Sequence, residues 1–215
     1  MAFENDTVKK KLTFVGDDCC GKTSRLRTAL LGLFPDTWTW ILPKAVPFES
    51  VPGTYQCLVT TARGKETVVD LVLWDTAGAF EYGRLDPLKW MKVDVFIICF
   101  AIDSIPSLDE VEDTWLPKIN HFNPVTPIIL VGLRKDRRDQ GQDSGKAGFV
   151  TSSMGEKVRS TIGAYKYVES SSLESEGVNQ VLEHAAVVAL LGPPRENPRK
   201  KRKTWLKRHV KCLIL

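Results

Sequence analysis

The chain lacks an apolar run long enough to cross a bilayer. Its longest apolar run, VFIICFAI at Val95 to Ile102, is far too short to span a membrane and reads as a buried strand. Met1 and Ala2 are followed by the polar stretch FENDTVKKK, so no secretory signal is expected, and Ala2 stands where N-myristoylation requires glycine. Cysteine is sparse: Cys19, Cys20, Cys57, Cys99 and Cys212 are an odd set without metal-ligand spacing. That pattern suits reduced thiols in a reducing compartment. Acid is nearly missing from one end. From Arg195 onward nine basic residues face the single acid Glu196, a charge of +8, which leaves −4 on the 21 basic and 25 acidic residues before it. A basic footprint confined to a tail, rather than spread over a folded face, argues against nucleic acid as a partner.

What is present is enough for one sizeable domain in 215 residues, with 43% hydrophobic and 26% charged composition. Lys11 to Val15 is a β-prone run that enters a glycine-bounded loop, and the loop runs into TSRLRTALLGLF, whose apolar residues recur at helical spacing. A proline-studded stretch from Pro35 to Pro52 precedes two extended runs, YQCLVTTA and TVVDLVLWD, joined by the turn-like RGKE and expected to form a hairpin. Beyond TAGAFEYGRLDP come the strand at Val95, a helix from near Ser107, the strand PIILVG, a helix around SSMGEKVRSTIG, the strand YKYVE and the helix SEGVNQVLEHAAVVALL. Strands alternating with helices predict an α/β fold, a mostly parallel sheet covered on both faces with one antiparallel edge strand. GPPRENP at Gly192 to Pro198 ends the last helix, and the tail beyond it is expected to be disordered in isolation.

Two motifs carry chemistry. Gly16-Asp17-Asp18-Cys19-Cys20-Gly21-Lys22-Thr23 satisfies G-x-x-x-x-G-K-[ST] between a strand and a helix, the context that a phosphate-binding loop requires. In that geometry backbone N–H groups and the helix N-terminus face phosphates, Lys22 reaches the terminal ones and the Thr23 hydroxyl ligates Mg²⁺. The second motif is Asp75-Thr76-Ala77-Gly78, which puts a carboxylate at a strand's carboxyl end, where it can hold a water on the metal.

Taken together, WDTAG, EYGRLDPL, DVFIICFAIDS, TWLPKI, HFNP, PIILVG and the terminal CLIL make the chain resemble the Rho branch of the small GTPases over nearly its whole length. The resemblance implies a Ras-like domain over residues 1–191 with a six-stranded sheet, GTP and GDP as ligands, Mg²⁺ as cofactor, and two switch loops read by effectors. An exchange factor and a guanine-dissociation inhibitor are implied partners. Ser24 completes the phosphate loop. Phe34 is expected edge-on against the guanine, with core packing as its plainer reading. The guanine-reading motif stands as Leu133-Arg134-Lys135-Asp136, with Asp136 kept to accept from the base and the leading asparagine absent. Ser171-Ser172-Leu173 matches the loop whose backbone N–H meets the guanine O6.

The departures cluster on hydrolysis. Asp17 matches a position where Rho proteins commonly carry Asp, whereas Asp18 falls where the family has glycine. Ala79 replaces the glutamine that orients the attacking water, and Gly53 stands where switch I has its γ-phosphate-sensing threonine, unless Thr54 takes that role. Switch I carries an excess of about twelve residues by the family pattern, within 36–51, which reads as a new contact surface, a tolerated loop or an error in the underlying gene model. The Rho insert region, about 137–151, is rich in Gly and Asp and reads as shortened. Residues 192–215 form a polybasic tail ending in the C-a-a-X box Cys212-Leu213-Ile214-Leu215, whose leucine predicts a geranylgeranyl group on Cys212. One lipid chain needs a second signal, which the basic residues supply toward anionic lipids. The expected location is the cytoplasmic face of the plasma membrane or endomembranes, with a cytosolic pool. Against a signalling switch with impaired hydrolysis stand two rivals, a pseudo-GTPase membrane scaffold and, less well supported, a P-loop kinase acting on a small acceptor.

Overall fold

The structure, a computed structural model, describes residues 7–32, 53–61, 66–76, 90–141, 148–192 and 210–213. The insertion at 36–51, Phe34, Gly78, Ala79 and most of the tail lie outside them. Along the chain run β1 (Thr7–Gly16), α1 (Lys22–Leu31), β2 (Gly53–Thr61), β3 (Glu66–Asp75), β4 (Val95–Ala101) and α2 (Ile105–Glu110). A π-helical turn, Val111–Trp115, joins α2 to α3 (Leu116–Phe122). Then follow β5 (Ile128–Leu133), α4 (Lys135–Asp139), α5 (Ser152–Thr161), β6 (Lys166–Ser170), α6 (Val178–Leu191) and β7 (Val210–Leu213).

The strands form one sheet in the order β6-β5-β4-β1-β3-β2-β7. β1, β3, β4, β5 and β6 pair in parallel, and β2 runs antiparallel to β3 in the expected hairpin. Every residue of β4 is buried, as befits a central parallel strand covered on both faces. Its side chains alternate between two cores. Val95, Ile97 and Cys99 join Leu26 of α1 and Val181, Leu182 and Ala185 of α6, while Phe96, Ile98 and Phe100 join Trp115, Ile119 and Val150 on the other face. Each such apolar side chain contributes roughly 1.5–3 kcal/mol by leaving water. Among the described residues no helix is long and apolar enough to cross a membrane.

Details of the sheet and of one helix refine these expectations. The six expected strands are joined by a seventh, because Val210–Leu213 pairs antiparallel with β2, placing Cys212 opposite Val59. Residues 210–213 therefore lie extended along β2, whose Leu58–Thr61 end is not the sheet's edge. An unpaired edge strand offers free N–H and C=O groups, and any extended segment within reach satisfies them. The helix expected from near Ser107 begins at Ile105, where the Ser104 hydroxyl accepts from the Ser107 backbone N–H as an N-cap and Pro106 occupies the first turn.

Candidate nucleotide site

β1 stands between β3 and β4, so the carboxyl ends of these three strands meet at the place where the chain changes direction across the sheet. Gly16 ends β1 with φ 144°, and a Cβ there would lie 2.1 Å from the Cys99 carbonyl oxygen, so only glycine lets the loop leave the sheet against β4. Gly21, at φ 108°, precedes α1 and offers no capping side chain, and the first turn of α1 holds no acid. That helix N-terminus thus keeps its dipole and N–H groups for an anion. Lys22 is buried, and its Nζ donates to the carbonyl oxygens of Gly16 at 2.8 Å and Asp17 at 2.6 Å. Asp18 and Cys19 are exposed at the front of the loop; the left-handed backbone falls on Cys19, at φ 57°, so Asp18 is accommodated without backbone strain.

The Thr23 hydroxyl donates to Asp75 Oδ2 at 2.5 Å, bringing together the two residues assigned to the metal from separate motifs. Asp75 is buried at the end of β3, whose exit is pinned by the Thr76 hydroxyl donating to the Phe14 carbonyl at 2.7 Å. Two hard oxygen donors on rigid elements fit Mg²⁺, which takes one or two protein ligands and completes its octahedron with phosphate oxygens and water. Among the described residues no group of three or more His, Cys, Asp or Glu could hold a metal ion by itself. Thr54, the alternative metal-ligating threonine of switch I, is exposed in β2 opposite Val72, and Gly53 begins that strand opposite Leu73.

Beside the loop lies a pocket of about 330 Å³ lined by Gly21, Ser24, Leu133, Arg134, Asp136, Arg137, Ser172 and Leu173. Its size suits a nucleobase. Asp136 is buried in the first turn of α4, and its Oδ1 accepts from the Ser171 hydroxyl at 2.6 Å. Ser171 therefore orients the acid. Its backbone N–H is already given to the Glu176 carbonyl, so the amide expected to meet a base oxygen must come from Ser172 or Leu173. Arg134, left-handed at φ 63°, reaches from the pocket to Asp103 and donates to the Cys19 carbonyl, tying the base-side loop to the phosphate loop. Leu133 is buried at the end of β5 and brings no polar atom to that junction. Sequence reading missed Asp103, the Ser171–Asp136 link and Trp115, whose indole N–H donates to Asp17 Oδ1 at 2.9 Å; contacts spanning 31 to 98 residues leave no local signal.

Residues 11–190 match the model of the Ras family. The chain is 38% identical to the GTP-binding protein rho2 of Schizosaccharomyces pombe, over 99% of this chain and 98% of that one. It is 35% identical to rho1 of the same yeast (97% and 98%) and 35% identical to RHO1 of Saccharomyces cerevisiae (98% and 97%). The chain belongs to the Ras family, as a Rho-type small GTP-binding protein. Within that family GTP or GDP is the general ligand of such a pocket and Mg²⁺ the general partner of a Thr23–Asp75 pair.

Proposed function

We propose that this Rho-type protein is a membrane-associated signalling switch, acting in cell polarity and actin organisation, that binds GTP with Mg²⁺ and hydrolyses it poorly. The observation that carries nucleotide binding is the pairing at both ends of the site: Thr23 with Asp75 where Mg²⁺ and the phosphates belong, and Ser171 with Asp136 where the base belongs. Both pairs are formed within the protein itself, so binding need not assemble them. Poor hydrolysis follows from residue identity. Asp18 is an exposed acid at the front of the loop, beside the place where the γ-phosphate develops charge, and Ala79 has no side chain to orient water. Output would then be governed by nucleotide exchange and by membrane delivery through a geranylgeranyl group on Cys212 and the basic tail. Effectors would meet the switch loops, including the long 36–51 segment, and an exchange factor and a dissociation inhibitor would act on the same faces.

The test is nucleotide content followed by single-turnover hydrolysis. Protein purified from cells and denatured is expected to release guanine nucleotide; release of none would favour a scaffold instead. Wild type is expected to hydrolyse GTP slowly and to respond little to a Rho-type activating protein, whereas Asp18→Gly with Ala79→Gln is expected to respond strongly. Strong stimulation of the wild type would refute impaired hydrolysis.

A further inference from the structure

An acid at the front of a phosphate cradle is an electrostatic liability, and the structure deals with Asp17 differently from Asp18. Asp17 is half-buried, and its Oδ1 accepts from the Trp115 indole Nε1–H at 2.9 Å. Trp115 is 3% exposed and belongs to the core that holds Val15, Phe96 and Ile98, on the sheet face opposite the one that packs Leu26 of α1. The loop's backbone passes from β1 to α1 on one face while the Asp17 carboxylate is drawn to the other. Its main chain does the reverse, since the Asp17 carbonyl accepts from Lys22 Nζ at 2.6 Å.

The donor is itself held in place. Trp115 ends the π-helical turn Val111–Trp115, and Pro117, in the first turn of α3, has no N–H to return to the preceding turn, which favours a wider turn there. Lys118 Nζ lies 4.7 Å from the centroid of the Trp115 ring, restraining it and making the indole N–H a better donor.

We propose that Trp115 is a positioning residue for nucleotide binding: its indole N–H anchors the Asp17 carboxylate so that Lys22 keeps its charge for the phosphates. The proposal rests on the guanine-nucleotide reading of the site. A carboxylate released from Trp115 has the Lys22 ammonium in its own loop as a partner, and an ion pair between them would neutralise the cation that meets the β and γ phosphates. Hydrogen bonds to charged groups are strong enough for this choice to register in affinity.

The experiment is a double-mutant cycle on the full chain, reading Mg²⁺·GTP and Mg²⁺·GDP dissociation constants for wild type, Trp115→Phe, Asp17→Ala and the double variant. Trp115→Phe is expected to weaken binding about tenfold, with the penalty larger for GTP, and to add less than about twofold once Asp17 is alanine, because the charge that needed anchoring is gone. An equal penalty in both backgrounds would mean that Trp115 only fills the core, and no penalty in either would mean that the anchor is idle; each overturns the proposal. A second reading needs no change at Trp115. The ¹⁵N-labelled indole resonance that moves on Asp17→Ala should persist in its wild-type position with Mg²⁺·GDP bound, and its shift to the Asp17→Ala position on binding would overturn the proposal even if Trp115→Phe does not fold. A wild type that takes up no guanine nucleotide defeats the reading of function and this proposal together. Binding with an additive cycle defeats this proposal alone.

Discussion

In the proposed function Asp136 is the base reader, and two of its surroundings suit that role: burial keeps water off the carboxylate, and the Ser171 hydroxyl fixes Oδ1 at 2.6 Å. Removing the hydroxyl should therefore cost affinity without changing which base is read. Ser171→Ala is expected to weaken GDP binding about tenfold in a fluorescent-nucleotide titration, whereas Asp136→Asn, which puts a donor where an acceptor stood, should shift preference toward xanthine nucleotides. Arg25 poses the opposite case. It is fully buried, donates through Nη2 to the Val178 carbonyl at 2.7 Å, and has no partner among the described residues for Nε or Nη1. Burial pulls its pKa down to about 10. Because the unfolded chain then binds more protons only above that value, the cost of burying this charge is fully present at neutral pH and is relieved as pH rises past about 10. Arg25→Met, close in volume and uncharged, is expected to raise unfolding stability by about 1 kcal/mol or more in urea, evenly from pH 6 to 9.

Among the elements, α4, α5 and β6 are held together by a brace that composition alone does not reveal. Arg138 of α4 bonds both oxygens of Glu169 in β6 and the Val150 carbonyl at 3.0 Å, while Ser152 at the start of α5 and Tyr167 also donate to Glu169. Burial pushes the Glu169 carboxyl up, but the hydrogen bonds from Arg138, Ser152 and Tyr167 outweigh it and hold the group below its ordinary value. A depressed carboxylate stabilises the fold above the unfolded glutamate range and loses that contribution as pH falls through the folded value. Glu169→Gln is expected to cost about 2 kcal/mol at pH 7 and much less at pH 3, measured by denaturant unfolding at both. Gly16, Lys22, Thr23, Asp75 and Asp136 were legible from sequence because each motif is contiguous and imposes its own backbone, and the apolar run of β4 was legible because burial on both faces permits nothing polar. The Glu169 brace, Trp115 and the strand at Val210 were not, because each depends on a partner remote in the chain.

For the whole molecule, the division of charge matters more than its sum: a mildly acidic domain carries a strongly basic end whose last described residues, Val210–Leu213, lie along β2. Cys212→Ser is expected to move the protein from the membrane pellet to the supernatant in cell fractionation, while neutralising Arg199 to Lys203 should weaken or redirect the association, since the lipid would remain. Undiminished pelleting of Cys212→Ser would remove the lipid anchor from the account. The same strand has a colloidal consequence. With β7 in place the outer backbone of Leu58–Thr61, four of the nine residues of β2, is met by the protein's own chain. A chain stopped before Val210 would open those four positions as well, lengthening the free edge of β2, and long open edges recruit further strands. Such a truncation is expected to self-associate in sedimentation velocity at concentrations where the full chain stays monomeric, which would make the last few residues a guard against misassembly as well as the bearer of Cys212.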